Sequence, residues 1–232
     1  MASQDLPDGG PDGPRFTLNA FMRYLSANAS GRRSITLRQK YPSRHQEVYY
    51  DAAADVLRRF IADGMGDSSI LEGGMAAIAE SAPEVVVPHH IRANVEVVEA
   101  FRDPRPKLHF GGLAPSSAAG PQSSLFVAGV ELVIRPEVLL EGLVDGEARG
   151  GALKFYFSKG HSLTRSAASY GALLLKRYCE EGLPGDAIVL NKLCIICDVR
   201  AAEIHHAPEA TMRREREIEA ACAEIALRWP AT

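Results

Sequence analysis

The stretch from Leu125 to Ser158 constrains the fold more than any other part of this 232-residue chain. Upstream of it, apolar residues recur with the 3.6-residue period of a helix. From Leu125 they alternate with period two, the mark of a strand with one face turned inward. Leu125–Ile134 (LFVAGVELVI) alternates in this way. Arg135-Pro136-Glu137 interrupts it, Val138-Leu139-Leu140 resumes it, and Asp145-Gly146 is a turn signal. Ala152–Ser158 (ALKFYFS) is a further strand. Thr164–Glu181 returns to helical spacing, with Ala167, Tyr170, Leu174 and Tyr178 on one face. Ala187–Val199 contains another strand, and Glu203–His206 a short returning one. Residues 126–134, 136–142, 151–158 and 190–199 are therefore expected as neighbours in one small mixed sheet, with the helix from Thr164 across a face. This is an α+β or α/β three-layer pattern, a sheet flanked by helices.

Residues 1–14 are rich in Asp, Gly and Pro and read as a disordered tail. Residues 15–232 read as a single domain, whose part from 15 to 102 is helical. Phe16–Ala29 is a helix with Thr17 as its cap and Leu18, Phe21, Met22 and Leu25 as its stripe. Arg32–Tyr41, polar and basic, reads as a loop or a short extended piece. Arg44–Ile61 is a stronger helix with Glu47, Asp51 and Asp55 in one acidic row, ended by Gly64 and Gly66. Asp67 or Ser68 caps a third helix to about Glu80, and Asn94–Arg102 is a short fourth. Residues 103–124 (DPRPKLHFGGLAPSSAAGPQSS) read as a long loop, and Glu209–Trp229 as the C-terminal helix.

The formal charge is −3 at pH 7, which excludes a globally basic nucleic-acid coat. The charge is unevenly spread. Between Pro14 and Gln46 there is no acid, while Arg15, Arg23, Arg32, Arg33, Arg38, Lys40 and Arg44 are all basic. Such asymmetry points to a polyanion or an acidic partner surface; the bland alternative is a solvated face paired with the acidic remainder of the fold. No apolar run approaches the roughly 20 residues of a membrane span. The N-terminus does not read as a secretory signal. Cys179, Cys194, Cys197 and Cys222 are too thin a disulfide framework for this length, so reduced thiols in a cytoplasm are expected.

Strand, Arg-Pro-Glu, strand, turn, strand and helix in succession resemble the PD-(D/E)XK nuclease superfamily, particularly its RecB-like branch, over about residues 44–206. The resemblance implies a restriction-endonuclease-like core and a Mg²⁺-dependent site. It places Glu137 where the family has an Asp after Pro, and Lys154 at the family lysine. Tyr170 matches the tyrosine of the following helix, and Ser166 replaces its glutamine. The acid of the early helix would be Glu47, Asp51 or Asp55. The position two before Lys154, where the family carries its second acid, is Ala152. A methyl group cannot ligate a metal, and one carboxylate holds Mg²⁺ weakly. Glu131 or Glu141 is a candidate migrated acid.

Other motifs carry less. Cys194-x-x-Cys197 lies in a strand, where i and i+3 face opposite ways, and has no second ligand pair nearby. His89-His90 and His205-His206 are adjacent pairs, poor geometry for joint ligation. No phosphate-loop, dinucleotide or G-x-S-x-G motif occurs. The expectation is a nuclease-fold protein that has lost cleavage and serves as a nucleic-acid-binding or complex-assembly subunit. Arg32, Arg33, Arg38, Lys40 and Arg44 would contact a DNA or RNA backbone, and Glu137, Lys154 and Glu47 would form the vestigial catalytic set. The alternatives are an active Mg²⁺-dependent nuclease, and a purely structural subunit docking another protein through the final helix and the 103–124 loop. The Arg- and Ala-rich composition suggests a bacterial chain and, by analogy alone, a defence or mobile-element system.

Overall fold

The structure is a computed structural model that describes residues 13–42, 49–81, 88–117, 123–160, 163–183 and 187–229. Its centre is a five-stranded mixed sheet of β2 (Ala114–Ser117), β5 (Val138–Val144), β6 (Glu147–Tyr156), β7 (Ile188–Asp198) and β8 (Glu203–His206), in that order. Strands β5 and β6 form an antiparallel hairpin across Asp145-Gly146, both at positive φ. Strand β6 runs parallel to β7, joined by the crossover helix α6 (Arg165–Gly182). Thr164 caps α6, its hydroxyl accepting from the Ala167 N–H at 3.2 Å. Edge strands β2 and β8 are antiparallel to their neighbours.

Strand β6 is buried on both faces from Gly150 to Tyr156, so each face needs its own cover. On one side Leu153, Phe155, Ile195 and Cys197 pack against α3 (Asp51–Ala62), α4 (Ser69–Glu80) and α5 (His89–Arg102) through Leu57, Phe60, Leu71, Val97 and Phe101. On the other, Ala152, Tyr156, Cys194 and Ile196 meet α6, α1 (Leu18–Ser26) and α7 (Met212–Arg228). Each large side chain moved from water into these layers contributes about 1.5–3 kcal/mol. The three-layer, helix-flanked mixed sheet expected from the sequence is the observed architecture. Two close approaches fix it. A Cβ on Gly151 would collide with the Leu193 carbonyl oxygen, beside the register shift between β6 and β7. A Cβ on Gly171 would collide with the Met22 thioether, so glycine lets α1 lie against α6.

Five sequence expectations need correction. Residues 126–134 are not one strand of the main sheet. They belong to a hairpin, β3 (Ser123–Val127) and β4 (Val130–Ile134), turned by Ala128 and Gly129 at φ 44° and 81°. A two-residue turn with both φ positive suits the strand twist; alanine in the first place hid it. This hairpin forms a separate three-stranded sheet with β1 (Arg15–Thr17), which lies parallel to β4. Phe16, expected in a helix, is thus a strand residue, buried with its ring edge-on to Tyr24.

Arg32–Tyr41 is not a loop: α2 spans Ala29–Lys40, opened by Asn28, whose Oδ1 accepts from the Gly31 N–H at 2.9 Å. Only Ile35, Thr36 and Lys40 of α2 are buried, too few to show a helical period. The 103–124 loop contains β2 and the start of β3. Helix α5 begins at His89 rather than Asn94. Most of the expected N-terminal tail, and the first turns of the helix expected from Arg44, lie outside the described residues.

Candidate functional site

Glu137 stands immediately before β5, and its backbone N–H donates to the Leu153 carbonyl at 2.9 Å. Its side chain turns to the α6 side of the sheet, as does that of Lys154. The Lys154 Nζ donates to Glu137 Oε1 at 2.6 Å, and the Phe155 backbone N–H donates to Oε2 at 2.7 Å. The carboxylate and ammonium side chains are only 10% and 11% exposed. Ala152, on the same face of β6, is fully buried and paired with Leu139 and Cys194. The structure brings Glu137 and Lys154 into contact. The structure makes them a buried ion pair with both carboxylate oxygens taken.

Among the described residues, no further carboxylate is ion-paired with Lys154. Glu47 lies outside the described residues. Asp51 and Asp55 are exposed on α3, which covers the opposite face of the sheet, and Asp55 pairs with Arg58. Glu131 is on β4 in the small sheet, bridged to Arg15 at 3.2 Å and accepting from Ser124 Oγ at 2.6 Å. Glu141 lies four residues along β5, about 13 Å away at strand rise. Among the described residues, no three His, Cys, Asp or Glu side chains are grouped to hold a metal ion.

What surrounds the pair was not anticipated. From helix α1, Asn19 Nδ2 donates to the Phe155 carbonyl of β6 at 3.2 Å. Tyr156 and Asp198 are paired across β6 and β7 and nearly fully buried. Burial pushes the Tyr156 phenol up, with Ser158 and Arg23 opposing. Burial also raises the Asp198 carboxyl, against backbone N–H donors that include Ala201 at 3.3 Å. The signal was present in the sequence as isolated polar residues at strand ends. Only the parallel β6–β7 register places them side by side.

Among the described residues, the basic stretch does not make one surface. Arg32 bridges Glu224 at 3.1 Å and stacks over Tyr24. Lys40 is buried, its ammonium 5.9 Å and 5.7 Å from the ring centroids of Tyr41 and Trp229. Arg33 and Arg38 are exposed. Five residues apart, they point about 140° from each other around α2. Arg44 lies outside the described residues.

A different concentration of charge lies between α6, β8 and α7. Arg165, Ser166, Ser169 and Tyr170 of α6, Glu203–His206, and Arg213, Arg214 and Glu217 of α7 line a cleft of about 700 Å³. Its parts come from three separate segments, so no local motif announces it. Burial lowers the His205 pKa, with Glu203 and Asp198 opposing. Tyr170 donates a short hydrogen bond to Glu217, which holds the phenol pKa up and the carboxyl pKa down.

The four cysteines are buried free thiols. Cys194 faces one core and Cys197 the other, so the C-x-x-C spacing does not form a ligand pair. No protein-family model matches the chain, and no curated protein matches it.

Proposed function

We propose that this chain is a nuclease-like protein without cleavage chemistry, acting in the cytoplasm as a nucleic-acid-binding or complex-assembly subunit. The observation that carries the reading is Glu137 with both oxygens committed, to Lys154 and to the Phe155 N–H, beside Ala152. A Mg²⁺ ion needs several hard oxygen ligands. Here Glu137 is buried and already neutralised by Lys154, and among the described residues no three metal-ligating side chains are grouped around it, so the residues present do not fit the metal. The order β2-β5-β6, α6, β7, with β5–β6 antiparallel and β6–β7 parallel, is similar to the nuclease core named above and supports the resemblance in fold. What remains for such a fold is binding.

The test has two arms. Labelled DNA and RNA incubated with the full chain in Mg²⁺ or Mn²⁺ are expected to stay intact. Cleavage abolished by Glu137→Gln would overturn the reading. The same oligonucleotides, titrated at several salt concentrations, are expected to bind with an affinity that falls as salt rises. Absence of binding leaves assembly with another protein as the function.

A further inference from the structure

We propose that the cleft between the first turns of α6 and α7 and edge strand β8 binds phosphates of a nucleic-acid strand. This rests on the nucleic-acid reading above and assigns its contact surface. The expected contacts on α2 do not converge, whereas those of the cleft do. Arg165 opens α6, and Arg213 and Arg214 lie in the first turn of α7. The serine hydroxyls of Ser166 and Ser169 and the imidazoles of His205 and His206 complete a wall rich in hydrogen-bond donors. Two long helices present their N-terminal turns to one space, and α7 has no side-chain cap there. Both ends carry partial positive charge.

Arg213 is paired with Glu217, but Arg165 and Arg214 have no carboxylate partner among the described residues. Arg214 spends one N–H on the Ala210 carbonyl at 2.6 Å, which anchors the guanidinium and leaves its other N–H groups. Arg165 is exposed. Two acids also line the cleft: Glu203, 3.5 Å from His205 Nε2, and Glu217. Glu217 accepts from the Tyr170 hydroxyl and from Arg213 Nε at 2.9 Å, so it acts as an internal counter-ion that an arriving phosphate must compete with.

The shape argues for a strand over a single ion. Past the Tyr170–Glu217 bridge, a second hollow of about 390 Å³ shares Ser166, Tyr170 and Glu217 with the first. It continues between α6 and α7 to Thr164 and Arg32, the latter held by Glu224. The two hollows adjoin at the Tyr170–Glu217 bridge, with Arg165, Arg213 and Arg214 lining the first and Arg32, paired with Glu224, the second.

The experiment measures binding of the full chain to a labelled single-stranded oligonucleotide, a mononucleotide and inorganic phosphate. The variants are Arg165→Ala with Arg214→Ala, Arg165→Ala alone, Glu217→Gln, and Arg33→Ala with Arg38→Ala. The first double variant is expected to weaken oligonucleotide binding about tenfold or more, as two charge-assisted contacts are lost. It should flatten the slope of log K against log salt by about 1.4. Arg165→Ala, at an exposed position, should give the smaller effect in the same direction without altering the melting curve. Glu217→Gln should tighten binding, an outcome no merely structural role for Glu217 would produce.

Binding by the wild type that survives in both arginine variants of the cleft, or is lost in the α2 variant instead, overturns the site and leaves the nucleic-acid reading standing. Mononucleotide or inorganic phosphate bound as tightly as the oligonucleotide overturns the strand assignment. No binding of any of the three probes overturns both.

Discussion

Removing the ammonium from the Glu137–Lys154 pair should be one of the most costly single changes on the α6 side of the sheet. Lys154→Met keeps an unbranched apolar stem and drops the terminal ammonium, so the loss is mainly that of the charge. It leaves a carboxylate about one-tenth exposed, with only the Phe155 N–H as donor. Breaking a buried pair in this way costs about 3–5 kcal/mol. For a chain of this size each kcal/mol moves the midpoint by about 2–4 °C, so the melting temperature should fall by about 6–20 °C. Glu137→Gln leaves the ammonium unpaired but keeps an acceptor, and should lie at the lower end of that range. The double variant removes both charges, and its glutamine can still accept from Phe155. It should recover most of the loss, giving a coupling of up to about 3 kcal/mol. Urea denaturation of the four proteins, with slopes compared to check two-state behaviour, measures this. Single losses under about 1 kcal/mol that simply add would describe a solvated surface pair. That result would refute both the energetic argument and the claim that Glu137 is unavailable to a metal.

Three further outcomes are expected. Gly151→Ala should destabilise the fold by about 1–3 kcal/mol or more, because the new Cβ meets the Leu193 carbonyl rather than a movable side chain; an unchanged midpoint would refute the close β6–β7 approach. The Asp198 carboxyl has a raised pKa in the folded state, so folding favours its protonated form, and its contribution worsens as pH climbs from the ordinary value of 3.8 through the raised one. Asp198→Asn, which can still accept from Ala201, should therefore be more stable than wild type at neutral pH. The gap should close below about pH 4, near the ordinary carboxylate pKa; a constant deficit across pH would contradict the sign. Asn28→Ala should cost about 1 kcal/mol by removing the cap of α2, read from the denaturation midpoint.

The parts of the fold legible in the sequence were those with strong local signals. The β5–β6 hairpin carries Asp-Gly, and Thr164 and the Ala/Leu stripe mark α6. The parts that escaped depend on partners distant in sequence. β1 is three residues whose strand identity comes from pairing with Glu131–Val133. α2 buries too little to show a period. Its basic residues looked like one patch because sequence proximity ignores the 100° turn per residue, and because Glu224 and Trp229 sit almost 200 residues away. Glu137 and Lys154 were readable as partners, since a Pro-flanked acid and a strand lysine on adjacent strands meet by register. The cleft beside α6 was not, since its arginines come from the first turns of two helices far apart in sequence, Arg165 in the crossover helix and Arg213 and Arg214 in the terminal one.

The distribution of thiols across the central sheet gives the molecule a built-in reporter for partial opening. Cys179, Cys194 and Cys222 belong to the layer under α6, and Cys197 alone belongs to the layer under α3–α5. Burial raises the Cys197 thiol, and raises Cys222 to about 12, so neither reacts as a thiolate while its layer is closed. Labelling by a thiol reagent therefore waits for exposure, and its rate at each sulfur tracks the opening free energy of that side. Detachment of α3–α5 would label Cys197 first, loosening of α6 and α7 the other three, and a single cooperative unit would label all four in step.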